Sequence, residues 1–281
     1  MKYNILFVAN DQYFKLLYIC LKSLLMVCNL YKVDKIFVAD LGLKETNKTR
    51  LTNLHSKITL IDTNKNIDYS DKLYSKEWIE AVSQKTSLLL DLVNNNNIPI
   101  IMIDSDTLIT DDFSDTIDLN YDLQICKRTN SFTRADGLLV QHIASFVVIN
   151  NLNAISFIES WIKRMEERIK ENMIPPHETP AMVETISGNV NLKIGDLDEN
   201  IISCDNNYID NLTKIIHAKS RTKKDKISIY RYTNITNLPL KIINNILINK
   251  HEILTFSFLY KLKKVFNIYK LKQFIKKILK K

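Results

Sequence analysis

Apolar residues in the first two-thirds of the chain fall into short runs that alternate with longer stretches of helical spacing. "KYNILFVA" is a near-continuous apolar run of strand length, and "YFKLLYICLKSLLMVC" repeats apolar residues every three or four positions. That pairing predicts a buried strand followed by a helix. "KIFVADL" predicts the next strand, Lys44 to His55 a polar helix, and "ITLID" a short strand. A helix is expected over Lys76 to Val93, stopped by "NNNN", and "IPIIMID" then reads as a strand buried on both faces. Further strands are expected at "YDLQICKR" and "GLLVQHIASFVVIN", and a helix over Leu152 to Lys170. "PPHETPAMVETI" starts with a helix breaker and turns helical, and short strands are expected at "VNLKIG", "NIISC" and "TKIIHA". Such alternation implies an α/β domain with a mostly parallel sheet.

Composition narrows the chemistry. With 281 residues, 46% hydrophobic and 25% charged, the chain can bury one large core. The N-terminus does not read as a secretory signal, and no apolar run approaches the ~20 residues needed to span a bilayer. Cys20, Cys28, Cys126 and Cys204 lack zinc or disulfide-framework spacing, so reduced thiols in a cytoplasmic protein are expected. The four glycines, Gly42, Gly137, Gly188 and Gly195, cannot make either common glycine-rich phosphate loop. A nucleotide bound here therefore needs another source of positive charge.

The net charge of +8 is uneven. Ten lysines and Glu252 give the segment from Lys250 to Lys281 a charge of +9, and the rest of the chain sums to −1. A nucleic-acid-binding body is thus not expected. In the tail, Phe258, Leu262, Val265 and Tyr269, then Leu271, Ile275 and Ile278, recur at helical spacing among lysines. This pattern fits an interfacial helix on an anionic membrane surface. A packed terminal helix or a nucleic-acid-binding tail are its rivals.

The candidate chemistry lies in "IPIIMIDSDTLITDDF", where the buried run meets Asp104 and Asp106. Ligands of open α/β sheets sit beyond the carboxyl ends of the strands. Residues i and i+2 of an extended chain face the same side, so both carboxylates can address one ligand. Their repulsion is relieved by a cation, and Mg²⁺ or Mn²⁺ with positions left for a diphosphate suits oxygen ligands. D-x-D alone also fits a turn or helix cap. Its place after an uninterrupted strand favours the cation. The aspartyl-phosphate motif D-x-D-x-[TV] fits less well, because Leu108 occupies the fifth position and about a hundred residues precede it.

Together, "KIFVADLGL", the helix bearing Lys85, and "IMIDSDTLI" resemble the GT-A nucleotide-sugar glycosyltransferases, and family 8 among them most closely. The likeness covers roughly residues 3 to 224. It implies a Rossmann-like, mostly parallel sheet flanked by helices, as a catalytic domain over 1–231, with a basic helical extension over 232–281. In "VANDQY" it implies that Asn10 and Gln12 contact the base or ribose and Tyr13 stacks on uracil. The bland alternative is a strand-to-helix turn capped by Asp11. The likeness further places Lys85 and Ser105 at the nucleotide-sugar. In "IIHAKSRTK" it makes His217 the third metal ligand, favouring Mn²⁺ over Mg²⁺, and Lys223 the grip on the diphosphate of a UDP-sugar.

This chain also departs from the family pattern. Ser220 replaces a glycine after the histidine, and Ile143, Ala144 and Ser145 stand where the family has Asn-Ala-Gly. "HETPA", with His177 and Glu178, falls where an acidic or amide pair is usual. Family 8 likeness implies retention of anomeric configuration, whereas inversion would need a base such as Glu178 or Asp136. The expectation is a metal-dependent hexosyltransferase on the cytoplasmic face of a bacterial membrane. It would transfer sugar from a UDP-sugar to a glycan or lipid-linked acceptor in surface polysaccharide or lipo-oligosaccharide synthesis. A nucleotidyl- or phosphotransferase on a related fold and a non-catalytic sugar-binding protein are the alternatives.

Overall fold

A computed structural model describes residues 1–67, 75–134, 137–173, 178–188, 191–203 and 212–217. The expected division between 1–231 and 232–281, and with it the basic helical extension, lies outside these residues. Among the described residues no helix is long and apolar enough to cross a membrane.

The chain opens with strand β1 (Tyr3–Ala9), helix α1 (Phe14–Val27), β2 (Val33–Asp40), α2 (Glu45–Thr52) and β3 (Ile58–Asp62). It continues through α3 (Lys76–Asn95), β4 (Ile100–Ile103), β5 (Thr107–Ile109), β6 (Leu123–Thr133) and β7 (Leu139–Ile149). Then follow α4 (Ile155–Lys170), α5 (Glu178–Gly188), β8 (Ile194–Asp198), β9 (Ile202–Ser203) and β10 (Ile215–His217). Ser75 caps α3, its side chain accepting from Trp78 N at 3.2 Å. The strand expected at "VNLKIG" starts later, at Ile194, and β5 was not anticipated.

Seven strands form one sheet in the order β3-β2-β1-β4-β7-β6-β8. The pairs β3/β2, β2/β1, β1/β4 and β6/β8 are parallel, and β7 runs antiparallel to both its neighbours. The mostly parallel α/β fold expected from the alternating pattern is what forms. Both faces of the central strands are buried, and alternate residues serve two cores. From β1 and β4, Ile5, Phe7, Ile101 and Ile103 pack with α1 residues Leu17, Leu21 and Leu24. Leu6, Ile100 and Met102 point the other way, onto Leu89, Phe157, Trp161 and Met182 of α3, α4 and α5. Period-2 alternation of uniformly apolar residues is what a strand between two helical layers requires.

Two irregularities shape the site. In β7, three residues (Ala144, Ser145 and Phe146) separate the rungs Ile125–Val147 and Cys126–Ile143, which makes a bulge. It falls where the family pattern would place Asn-Ala-Gly, and the Ser145 carbonyl accepts from Asp104 N at 3.0 Å. Outside the main sheet, β5, β10 and β9 form a small sheet, with β5 antiparallel to β10. Its apolar residues Ile109, Ile202 and Ile215 complete the core over α1.

Candidate active site

From β1 the chain builds outward to β2 and β3, then returns to the other side of β1 at β4. Carboxyl ends of strands at such a reversal open a crevice. Asp104 and Asp106 stand there, after β4. The small sheet supplies the third group, since β10 pairs with β5 in the register His217↔Thr107. His217 Nε2 lies 3.4 Å from Asp104 Oδ2 and 3.4 Å from Asp106 Oδ1. One ligand atom from each of the three residues falls within a 4.8 Å cluster.

These groups fit a divalent ion. A charge-assisted hydrogen bond would draw His217 to about 2.7–2.9 Å of a carboxylate, whereas neighbouring ligands of an octahedral ion are about 3 Å apart. Two oxygens and one imidazole also suit Mn²⁺. Charge agrees, since Asp104, Asp106 and Glu178 bring three carboxyl groups to a single ammonium, Lys85.

Lys85 bridges two of those acids. Its Nζ lies 2.5 Å from Asp104 Oδ1 and 2.9 Å from Glu178 Oε1, with its side chain 9% exposed. Burial favours the neutral amine, but the Asp104 and Glu178 carboxylates outweigh it and hold Lys85 above the ordinary lysine range. Burial, assisted by Asp104 and opposed by Lys85, pushes Glu178 up to about 7. Glu178 is the first residue of α5, and its carbonyl accepts from the buried Trp161 indole at 2.8 Å. Among the described residues, Glu178 Oε2 has no hydrogen-bond partner. It is a buried acceptor beside the ligand cluster.

A cleft of about 710 Å³ opens at the ends of β1, β2 and β3. Asn10, Gln12 and Lys44 lie along it, and its lysines Lys44, Lys48 and Lys65 are matched by Asp11, Asp40 and Asp62. Asp40 forms part of its floor, accepting from Gly42 N at 2.8 Å, Leu43 N at 2.6 Å and Lys48 Nζ at 2.7 Å. Burial works against the ionised form, yet these bonds hold Asp40 below the usual carboxylate range. Gly42 adopts φ +114°, and a Cβ there would meet Asn66 Oδ1 at 2.4 Å.

The comparisons with known proteins agree with this architecture. The family model described as nucleotide-diphospho-sugar transferase matches residues 43–228. The chain belongs to that family. Comparison with curated proteins gives no match. Among solved structures, the galactosyltransferase LgtC, in complex with donor and acceptor sugar analogues, is 17% identical with a TM-score of 0.55. That match covers 86% of this chain and 99% of LgtC. The bifunctional glycosyltransferase WbbM is 16% identical with a TM-score of 0.56, over 87% of this chain, which spans only 51% of WbbM. GlyE of Streptococcus pneumoniae TIGR4 is 16% identical with a TM-score of 0.53, over 90% of this chain and 64% of GlyE. The protein is a glycosyltransferase of the GT-A fold.

In this nucleotide-diphospho-sugar transferase the residues singled out by sequence divide into four sets. Asp104, Asp106, His217, Lys85 and Glu178 converge on one centre. Asn10 and Gln12 line the cleft, but the Asn10 side chain is also engaged in building it. Asn10 Nδ2 donates to Ile67 O at 3.0 Å, and Oδ1 accepts from the main chain of Gln12 and Tyr13 at 3.1 Å. Tyr13 stands at the N-terminus of α1 and packs on the core. Ser105 turns back into the fold, its hydroxyl donating to Val8 O at 2.6 Å. Asp136, Lys223, His177 and Ser220 lie outside the described residues.

Asp11 does not cap the helix that follows it. It accepts from Lys44 N at 3.1 Å and Asn47 Nδ2 at 2.6 Å, tying the loop to the start of α2. Asn10 makes the turn instead. Sequence reasoning also missed the direct Lys85–Glu178 pair, because the partners are 93 positions apart.

Proposed function

We propose that this transferase uses a divalent ion, preferentially Mn²⁺, to move a sugar from a UDP-sugar to a glycan or lipid-linked acceptor. The observation that carries the reading is the convergence of Asp104, Asp106 and His217 at the crevice beside β1. These three side chains would hold the ion, which when bound supplies Lewis acidity to the leaving diphosphate. Lys85 fixes Asp104 from behind and leaves Asp104 Oδ2 on the side of His217. The cleft at β1 to β3 has room for a nucleoside, and Gln12 and Asn10 lie along it. Glu178, paired with Lys85 beside the ligand cluster, is the acid that would face the donor sugar.

In the reaction the bond from the anomeric carbon to the diphosphate oxygen breaks. A bond to an acceptor hydroxyl oxygen forms, and that hydroxyl loses its proton. Retention is the outcome that family 8 likeness favours. Lys223, six residues after His217, would neutralise the diphosphate, and Asp136 is the other acid kept as a candidate base. The basic, aromatic segment over 232–281 would dock on anionic lipid as a unit separate from the catalytic domain. Its pattern supports a lipid-borne acceptor in bacterial surface polysaccharide synthesis, on the cytoplasmic side of the membrane.

Thermal melting with a panel of nucleotide-sugars, with and without Mn²⁺, tests the reading. Stabilisation by a UDP-sugar that requires the metal, and is absent in Asp106→Asn, is the expected result. Indifference to every sugar nucleotide would overturn it.

A further inference from the structure

Strand β5 begins one residue after Asp106, and Thr107 at its head joins three parts of the site. Its hydroxyl donates to Asp104 O at 2.8 Å. Its main chain stands opposite His217 in the β5/β10 ladder. Its Oγ1 also lies 3.1 Å from Cys20 Sγ on α1. A hydroxyl has one hydrogen, and a carbonyl can only accept. The Thr107 hydrogen is therefore committed to Asp104, and the buried Cys20 thiol is the donor to Thr107. One turn further along α1, Ser23 repeats the clasp. It accepts from Ile109 N at 3.0 Å and donates to Cys20 O at 2.7 Å. Both ends of β5 are thus pinned to the helix whose N-terminus carries the Asn10–Tyr13 turn.

We propose that Thr107 is a positioning residue for divalent-cation binding, holding Asp104 and His217 in register, with Cys20 holding Thr107 in turn. The inference rests on the metal reading given above. Neither side chain is a ligand. Thr107 acts through the main chain of one ligand and the strand pairing of another, and Cys20 acts through Thr107. The same clasp ties the strand after the ligand pair to α1, the helix that follows the Asn10–Tyr13 turn.

Direct Mn²⁺ titration of the full chain, reading free ion by electron paramagnetic resonance, tests this without an activity assay. Thr107→Val keeps the shape and the β-branch but removes both hydrogen bonds. It is expected to weaken Mn²⁺ binding about 10- to 100-fold, the usual cost of losing a partner that orients a ligand, while Thr107→Ser stays within about threefold of wild type. Cys20→Ala, which leaves the Thr107–Asp104 bond, should fall between them. Metal-free melting temperatures report whether a variant is merely destabilised. Thr107→Val binding like wild type, or Thr107→Ser as weak as Thr107→Val, overturns the inference and leaves the metal reading standing. Should Thr107→Val not fold, Cys20→Ala decides, and wild-type affinity there overturns the clasp. A wild-type chain that binds no Mn²⁺ overturns the metal reading and this inference with it.

Discussion

Lys85 Nζ lies 2.5 Å from Asp104 Oδ1, so the first acid of the D-x-D turn is already half neutralised from inside the protein. The second oxygen of Asp104 points to the His217 side, 3.4 Å from Nε2. One carboxylate therefore serves a fixed ammonium and a candidate ion at once. The lysine offsets negative charge that the metal-free fold would otherwise leave uncompensated. Lys85→Met should separate these roles. Removing one partner of a buried ion pair costs on the order of 3–5 kcal/mol, so the metal-free melting point should drop sharply. Mn²⁺ affinity should hold or rise, because a competing positive charge is gone, while turnover falls. Metal titration beside a melting curve checks both. Loss of Mn²⁺ affinity would mean that Lys85 orients Asp104 more than it competes for it.

The same cluster predicts a pH dependence. Burial raises Glu178 from 4.5 to about 7, so between those values the folded state binds a proton that the unfolded chain has released. Stability falls wherever the native state holds more protons. The contribution of Glu178 is thus fully present below about pH 4.5 and is lost as pH rises through about 7. Without metal, the melting temperature of wild type relative to Glu178→Gln should decline across that window. Added Mn²⁺ should flatten the decline by favouring the carboxylate. A difference that rises with pH would contradict the assignment.

Much of this was legible in the chain because burial wrote it there. "IIMI" between two helical layers has to be apolar at every position, and acids at its end stand out. His217 was reachable through its spacing to Lys223, by resemblance. Thr107 to Ile109 escaped notice because three residues carry no period, and their pairing with β10 spans about a hundred positions. The Lys85–Glu178 pair was hidden for the same reason. Asn10 rather than Asp11 makes the turn before α1, because either residue can do so and the contacts of Asp11 to the start of α2 decide between them.

Gly42 is the position where the cleft at β1 to β3 depends on the absence of a side chain. Its φ of +114° is strained for other residues, and a Cβ would lie 2.4 Å from Asn66 Oδ1. The Asn66 amide can swing aside, but the backbone conformation cannot be relieved so simply. Gly42→Ala should cost about 1–3 kcal/mol in stability. It should also disturb Asp40, whose Oδ1 accepts from Gly42 N. Nucleotide binding should therefore weaken by more than Mn²⁺ binding, because the ligand cluster lies on the far side of β1. Isothermal titration with UDP and with Mn²⁺ separately makes the comparison. Equal losses for both ligands would mean that the strain spreads through the sheet.

Trp161 reaches the site from below. Fully buried in the α3–α5 core, it donates Nε1–H to the Glu178 carbonyl at 2.8 Å and fixes the residue that opens α5. Trp161→Phe keeps an aromatic ring and removes that donor, at a cost of about 1–3 kcal/mol for a buried carbonyl left without its partner. Phe157→Leu is the control, since Phe157 packs in the same core with its ring centroid 6.0 Å from Trp161, yet has no bond to Glu178. Both variants should melt earlier. Turnover at saturating donor and acceptor should fall further in Trp161→Phe, because a carboxylate held by one end of its residue samples positions out of reach of the sugar. Equal turnover losses in the two variants would show that Trp161 contributes packing alone.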